Sequence, residues 1–142
     1  MQMQVLLSFI IALINFKYLH SLLDFKAINF KYLNKLINET LRLHPPAMIL
    51  KKRCTKQYQL PPVSENEKGV TVEPNTPIII PVYSLQTDST YFPDPYRFDP
   101  ERFSEENTYN KFTFLPFGEG PRMCVGQKFA LTQMKIANIH IL

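Results

Sequence analysis

Three prolines and five aromatic rings crowd the segment Tyr91–Phe103, YFPDPYRFDPERF. Proline fixes φ and donates no N–H, so a regular helix or strand cannot run through this stretch. The rings still need cover from water, which makes the segment a packed irregular loop rather than a linker. The composition agrees, with 12 prolines against 4 glycines and neither a Gly-X-Y period nor a low-complexity tract. With 142 residues, 45% of them apolar and 20% charged, the chain has room for one globular domain and little more. A multidomain enzyme carrying its own reductase or a second cofactor domain is excluded.

The charge excess is 16 − 12 = +4. It suits an acidic protein partner or an anionic surface, but it is too small to argue for nucleic acid. Two cysteines, Cys54 and Cys124, cannot build a secreted disulfide framework, so a reducing compartment is expected. The most apolar run, Val5–Ile14, has ten residues. A spanning helix needs about 20. The run also lacks the basic flank and cleavage site of a signal peptide. It reads as a buried or frayed apolar helix, or as a segment lying on a membrane surface.

The hexapeptide INFKYL occurs at Ile14–Leu19 and again, 14 residues later, at Ile28–Leu33. That offset is close to four turns at about 3.6 residues per turn, but one repetition does not make a solenoid. From Phe30 to Leu43 the apolar residues Phe30, Leu33, Ile37 and Leu41 recur at helical spacing until Pro45 and Pro46 stop the pattern. Residues 48–60 read as extended, Pro61–Gly69 as a loop, and Val70–Val72 and Pro77–Ile80 as short strands. A loop at Leu115–Arg122 leads to Cys124, and Val125–Leu142 is helical and apolar almost all round, the pattern of a buried helix.

Cys124 lies in FGEGPRMCVG, residues 117–126, where that last helix begins. Met123 stands where a dinucleotide fingerprint needs its third glycine. There is no phosphate-loop GK[ST] and no cysteine pair spaced for zinc, and His140 alone completes no zinc or protease pattern. What remains is one cysteine at a helix N-terminus, beside an arginine and held by glycines. The helix dipole favours a thiolate there. Such a sulfur can be a nucleophile, an axial metal ligand, or an inert packed cysteine.

The spacing Phe117-Gly118-x-Gly120-x-Arg122-x-Cys124-x-Gly126 resembles the haem-binding signature of the cytochrome P450 superfamily, the haem-thiolate monooxygenases. Two further motifs follow the family's order. Glu39-Thr40-Leu41-Arg42 looks like the E-x-x-R of its K helix, and Pro100-Glu101-Arg102-Phe103 resembles its PERF element. The finer texture (INETLRLHPP, FDPERFSEEN, FLPFGEGPRMC) is similar to animal microsomal members, especially insect enzymes that handle foreign compounds.

The resemblance implies a mainly α fold with small β elements, an α+β arrangement that is the proximal, haem-binding half of the family's fold. Residues 27–142 would form this partial domain, with K helix, PERF loop, haem-binding loop and the start of the L helix. Residues 1–26 match nothing in the family. By the resemblance, Cys124 supplies the axial thiolate to haem iron. Phe117 shields the sulfur. Gly118, Gly120 and Gly126 let the backbone approach the porphyrin. Arg122 pairs with a haem propionate. Glu39, Arg42 and Arg102 form a buried structural network, although a Glu–Arg pair three apart is otherwise a solvated surface pair. Cys54 is expected to be a small packed residue.

Three positions depart from the family's pattern. Relatives carry an arginine to the second propionate two residues before the cysteine matching Cys54; here Lys52 stands there, with Arg53 one residue late. One residue along a strand is the opposite face. Gln86 replaces a frequent histidine, and Ser89 a usual proline. Only 38 residues precede Glu39, so the family's long I helix, with its acid–alcohol pair, has no counterpart and no distal catalytic residue is identifiable. The expectation is a C-terminal fragment with an unrelated or mispredicted beginning. The family's partners would be an NADPH-cytochrome reductase and a small lipophilic substrate, at the cytoplasmic face of the endoplasmic reticulum membrane. The competing readings are a non-enzymatic remnant and an interaction protein whose apolar N-terminus docks on a membrane or a partner.

Overall fold

The computed structural model describes residues 30–107 and 109–141. The apolar run Val5–Ile14 and the first INFKYL copy lie outside the described residues. Two compact units divide the chain: one runs through residue 48 and resumes at 82, and the other is residues 49–81.

In the first unit, helix α1 spans Phe30–Leu43. Leu33, Ile37 and Leu41 recur every four residues, so they share one face and are buried together. Phe114, Phe117, Leu131 and Met134 pack against this stripe. Arg42 in the last turn suits the negative end of the helix dipole. The ladder ends where the His44 N–H meets the Thr40 carbonyl at 2.8 Å. Beyond it, Pro45 and Pro46 have no N–H to continue.

The second unit contains four short strands, and the runs expected at Val70–Val72 and Pro77–Ile80 are both there. Strand β1 (Leu50–Arg53) pairs antiparallel with β4 (Pro77–Ile80), and β2 (Tyr58–Leu60) with β3 (Val70–Val72). A turn at Asn75 (φ 70°) is closed by its N–H on the Cys54 carbonyl at 2.7 Å, while the Cys54 N–H reaches the Thr76 carbonyl at 3.0 Å.

Back in the first unit, Val82–Gln86 forms helix α2. The proline-rich segment is irregular as expected until Pro100–Phe103 closes one 3₁₀ turn, capped by the Asp99 carboxylate on the Glu101 N–H at 3.1 Å. Its aromatics divide. Phe92 is buried and Phe103 stacks with Tyr109 and Phe114 at centroid distances of 5.2 and 4.7 Å, but Tyr96 stands in solvent.

The last helix, α3, spans Gln127–Ile141. Its expected burial is corrected by the structure: Val125, just before it, is fully exposed, and Phe129 is 70% exposed. Leu131 and Met134 turn toward α1, and the described residues provide no second layer for the rest of this apolar surface. No helix among the described residues is long and apolar enough to cross a membrane.

Candidate thiolate-loop site

The loop before α3 is folded by its own backbone. The Gly118 N–H bonds the Leu115 carbonyl (3.1 Å), the Met123 N–H the Gly120 carbonyl (3.1 Å), and the Cys124 N–H the Phe117 carbonyl (2.9 Å). Gly118 and Gly120 turn the chain at φ 74° and 88°, a region that a Cβ makes costly. A Cβ at Gly126 would lie 3.9 Å from Cys124 Sγ, an ordinary contact, so the third glycine lies beside the sulfur without being required by the loop itself. The result is an exposed thiol at the entrance to α3.

Its neighbours along the chain are exposed: Arg122, Met123 and Val125 flank the cysteine, and Phe129 follows in the first turns of α3. Phe117 is half-buried and packs on the Leu33–Ile37–Leu41 stripe, which ties the loop to α1. Among the described residues, no group of three His, Cys, Asp or Glu side chains is placed to hold a bare metal ion.

Glu39, Arg42 and Arg102 lie together, the first two fully buried and Arg102 partly exposed. Arg42 donates from Nε to Glu39 Oε2 at 2.7 Å and from a terminal nitrogen to Oε1 at 2.8 Å, and neither side chain is exposed. The Asp99 N–H gives the carboxylate a third bond, to Oε1 at 2.9 Å. Arg102 completes the trio more loosely. Its Nε lies 3.6 Å from Glu39 Oε1, beyond hydrogen-bond length, while a terminal nitrogen bonds the Asp94 carbonyl at 2.8 Å. Asp94 offers that carbonyl from a left-handed conformation, φ 49°. Arg42 also donates to the Gln86 carbonyl at 2.7 Å and stacks over the Phe92 ring at 5.3 Å. On the surface, Lys35 Nζ and Ser104 Oγ both bond Glu101 Oε2, at 2.8 and 2.6 Å, and hold its carboxyl below the usual carboxylate range.

Gln86, noted in the sequence only as a departure, makes three side-chain hydrogen bonds in this region. It is fully buried. Its amide nitrogen donates to the Leu41 and Arg42 carbonyls at 3.1 and 2.9 Å, and its oxygen accepts the Leu115 N–H at 2.9 Å. Nothing in the sequence singles out one glutamine, but the Pro45–Pro46 pair signals that the end of α1 needs donors from elsewhere.

Lys52 lies in the second unit, on β1. It is half-buried on the same face as Leu50 and pairs with Ile78, whereas Arg53 faces outward and bonds the Asn75 carbonyl at 3.2 Å. The two cations thus occupy opposite faces of one strand. Cys54 is half-exposed, with Sγ 2.8 Å from the Lys56 carbonyl.

The fold and the site define a class: an α+β protein that presents one exposed cysteine on a glycine-turned loop and buries a carboxylate–guanidinium pair on helix α1. The cytochrome P450 family model matches residues 25–142. The chain belongs to the cytochrome P450 family. It is 48% identical over 109 residues to cytochrome P450 9e2 of Blattella germanica, covering 75% of this chain and 20% of the relative. It is 42% identical over 107 residues to a probable cytochrome P450 6d4 of Drosophila melanogaster and 42% over 109 residues to cytochrome P450 3A29 of Sus scrofa, each again covering 75% of this chain and 20% of the relative. The chain therefore spans about a fifth of the length of these relatives. Members of the family bind haem, iron protoporphyrin IX.

Proposed function

We propose that this chain supplies the thiolate side of a haem monooxygenase, an oxidoreductase acting on paired donors with dioxygen, in which Cys124 Sγ would hold the haem iron. The observation that carries this reading is the exposed Cys124 thiol on a loop whose conformation is held by three backbone hydrogen bonds and two left-handed glycines. The surroundings suit a flat, apolar, doubly anionic group. Met123, Val125 and Phe129 are exposed apolar side chains within five residues of Cys124, and Arg122 is an exposed guanidinium two residues before it.

Bound haem supplies the iron that activates dioxygen. Phe117 would exclude water from the sulfur side, Gly126 would leave room for the porphyrin, and the Cys124 N–H is engaged by the Phe117 carbonyl, which holds the backbone that carries the sulfur. Arg122 and Lys52 would each neutralise one propionate, the arginine with a planar fork and the lysine as a point charge. Electrons would come from an NADPH-cytochrome reductase, and the substrate would be small and lipophilic, at the cytoplasmic face of the endoplasmic reticulum membrane. The chain spans about a fifth of the length of its relatives, and residues 1–142 alone are expected to give no turnover.

The test is a chimera joining residues 27–142 to the remainder of the Blattella germanica relative. Its reduced carbon monoxide complex should show a thiolate-type, red-shifted Soret band. Cys124→Ser should abolish the band and Cys54→Ser should leave it unchanged. A band surviving in Cys124→Ser rejects the ligand assignment, and substrate hydroxylation by purified residues 1–142 rejects the inactivity of the isolated chain.

A further inference from the structure

Every α-helix ends with carbonyls that lack an i+4 donor. In α1 the Thr40 carbonyl is served by the His44 N–H. The next two carbonyls, of Leu41 and Arg42, would look to residues 45 and 46, and both are proline. Their groups sit among buried residues, where an unmade hydrogen bond is costly. The Gln86 amide nitrogen has two hydrogens and lies within bonding distance of both carbonyls. Its oxygen remains available to accept, and it takes the Leu115 N–H, the residue whose own carbonyl starts the Cys124 loop by binding the Gly118 N–H.

We propose that Gln86 is a positioning residue for the thiolate loop, transmitting the fixed end of α1 to Leu115 and so to the backbone that aims Cys124. This rests on the reading of Cys124 as the iron ligand. A primary amide is the side chain whose inventory fits the three partners. A neutral imidazole donates once and accepts once, an imidazolium cannot accept, and a carboxylate cannot donate to either carbonyl. Arg42 secures the arrangement from the other side by bonding the Gln86 backbone carbonyl, so the side chain and main chain of residue 86 both face the helix end.

The experiment uses the haem-loaded chimera, with the fraction of the reduced carbon monoxide complex in the thiolate-type form as readout, together with hydrogen exchange at the Leu115 amide. Gln86→Leu keeps the volume and removes the donors and acceptor. It should lower the ratio of thiolate-type to other forms by about tenfold, the scale of one lost buried hydrogen bond, and speed Leu115 exchange by a similar factor. Gln86→His should recover part of both, because one donor and one acceptor remain. Val82→Ala, on the same short helix, opens a packing defect without touching the amide and should leave the ratio unchanged. The proposal is overturned if Gln86→Leu keeps the parent ratio, if Gln86→His is no better than Gln86→Leu, or if Val82→Ala lowers the ratio as much as Gln86→Leu does. Failure of the ligand reading looks different: the parent would lack the thiolate-type band, or Cys124→Ser would keep it, while Leu115 exchange would still respond to residue 86.

Discussion

Arg42 grips both oxygens of Glu39, three residues earlier on the same helix, at 2.7 and 2.8 Å, and solvent reaches neither side chain. A pair at this spacing on an open helix contributes a few tenths of a kcal/mol. Buried, it becomes a liability when broken, because the surviving charge has no water to turn to.

Glu39→Gln leaves Arg42 and Arg102 facing a neutral amide. The expected loss is about 3–5 kcal/mol of stability, read as a lower urea midpoint and a smaller yield of soluble haem-loaded chimera. Substrate preference should not change in whatever protein survives. Normal yield with normal haem content would refute a structural role for the network.

Arg122 and Lys52 should matter unequally for haem retention. An arginine can make two parallel bonds to a carboxylate and a lysine cannot. Transfer of haem to a scavenging protein should therefore accelerate more in Arg122→Ala than in Lys52→Ala. Lys52→Arg should slow it relative to the parent, since an arginine can pair with a carboxylate through two bonds where a lysine makes one. Equal effects at the two positions would count against the pairing.

Two glycines separate backbone strain from collision. A Cβ at Gly120 meets nothing within 4 Å, but φ is 88°, so Gly120→Ala should cost about 1–2 kcal/mol through the backbone alone. At Gly69 a Cβ would fall 2.5 Å from the Leu60 carbonyl oxygen, so Gly69→Ala must displace the β2–β3 pair. Amide exchange should loosen only around Met123 in the first variant and along Tyr58–Leu60 in the second. The reverse pattern would contradict both assignments.

His44 has its imidazole pKa lowered below the ordinary 6.5, first by burial and then by the Arg42 charge. The folded chain therefore binds this proton less readily than the unfolded one. The contribution is fully present above the unfolded value, near 6.5, and is lost as pH falls toward the folded value. Unfolding midpoints should drop on acidification through that window, and His44→Gln should flatten the drop. An unchanged slope in His44→Gln would show that other groups carry it.

Much of this architecture is legible in residue order. Leu33, Ile37 and Leu41 announce a helix face by their spacing, and Pro45 announces its end. The Cys124 loop is legible because its glycines, arginine and cysteine have few other reasons to share that spacing. Helix α2 is not, since five residues show no period. The burial expected for α3 misled for a physical reason. Apolar residues all round a helix state what it can pack against, not what is present, and here Phe129 meets solvent. Gln86 stands out in the sequence only as a substitution, because its role is written at residues 41, 42 and 115, distances over which a single sequence carries no pattern.

The two prolines after α1 also set an order of events. A helix end normally forms with its own neighbours, within the reach of a single turn. Here the carbonyls of Leu41 and Arg42 wait for an amide 45 and 44 residues later. Closing so long a loop costs entropy that grows with the logarithm of its length. The first turns of α1 can appear early, as local structure does, but its final turn cannot be completed until the chain has brought Gln86 back. The helix that anchors the buried ion pair is therefore finished from a distance, and the step that finishes it is the same one that captures Leu115.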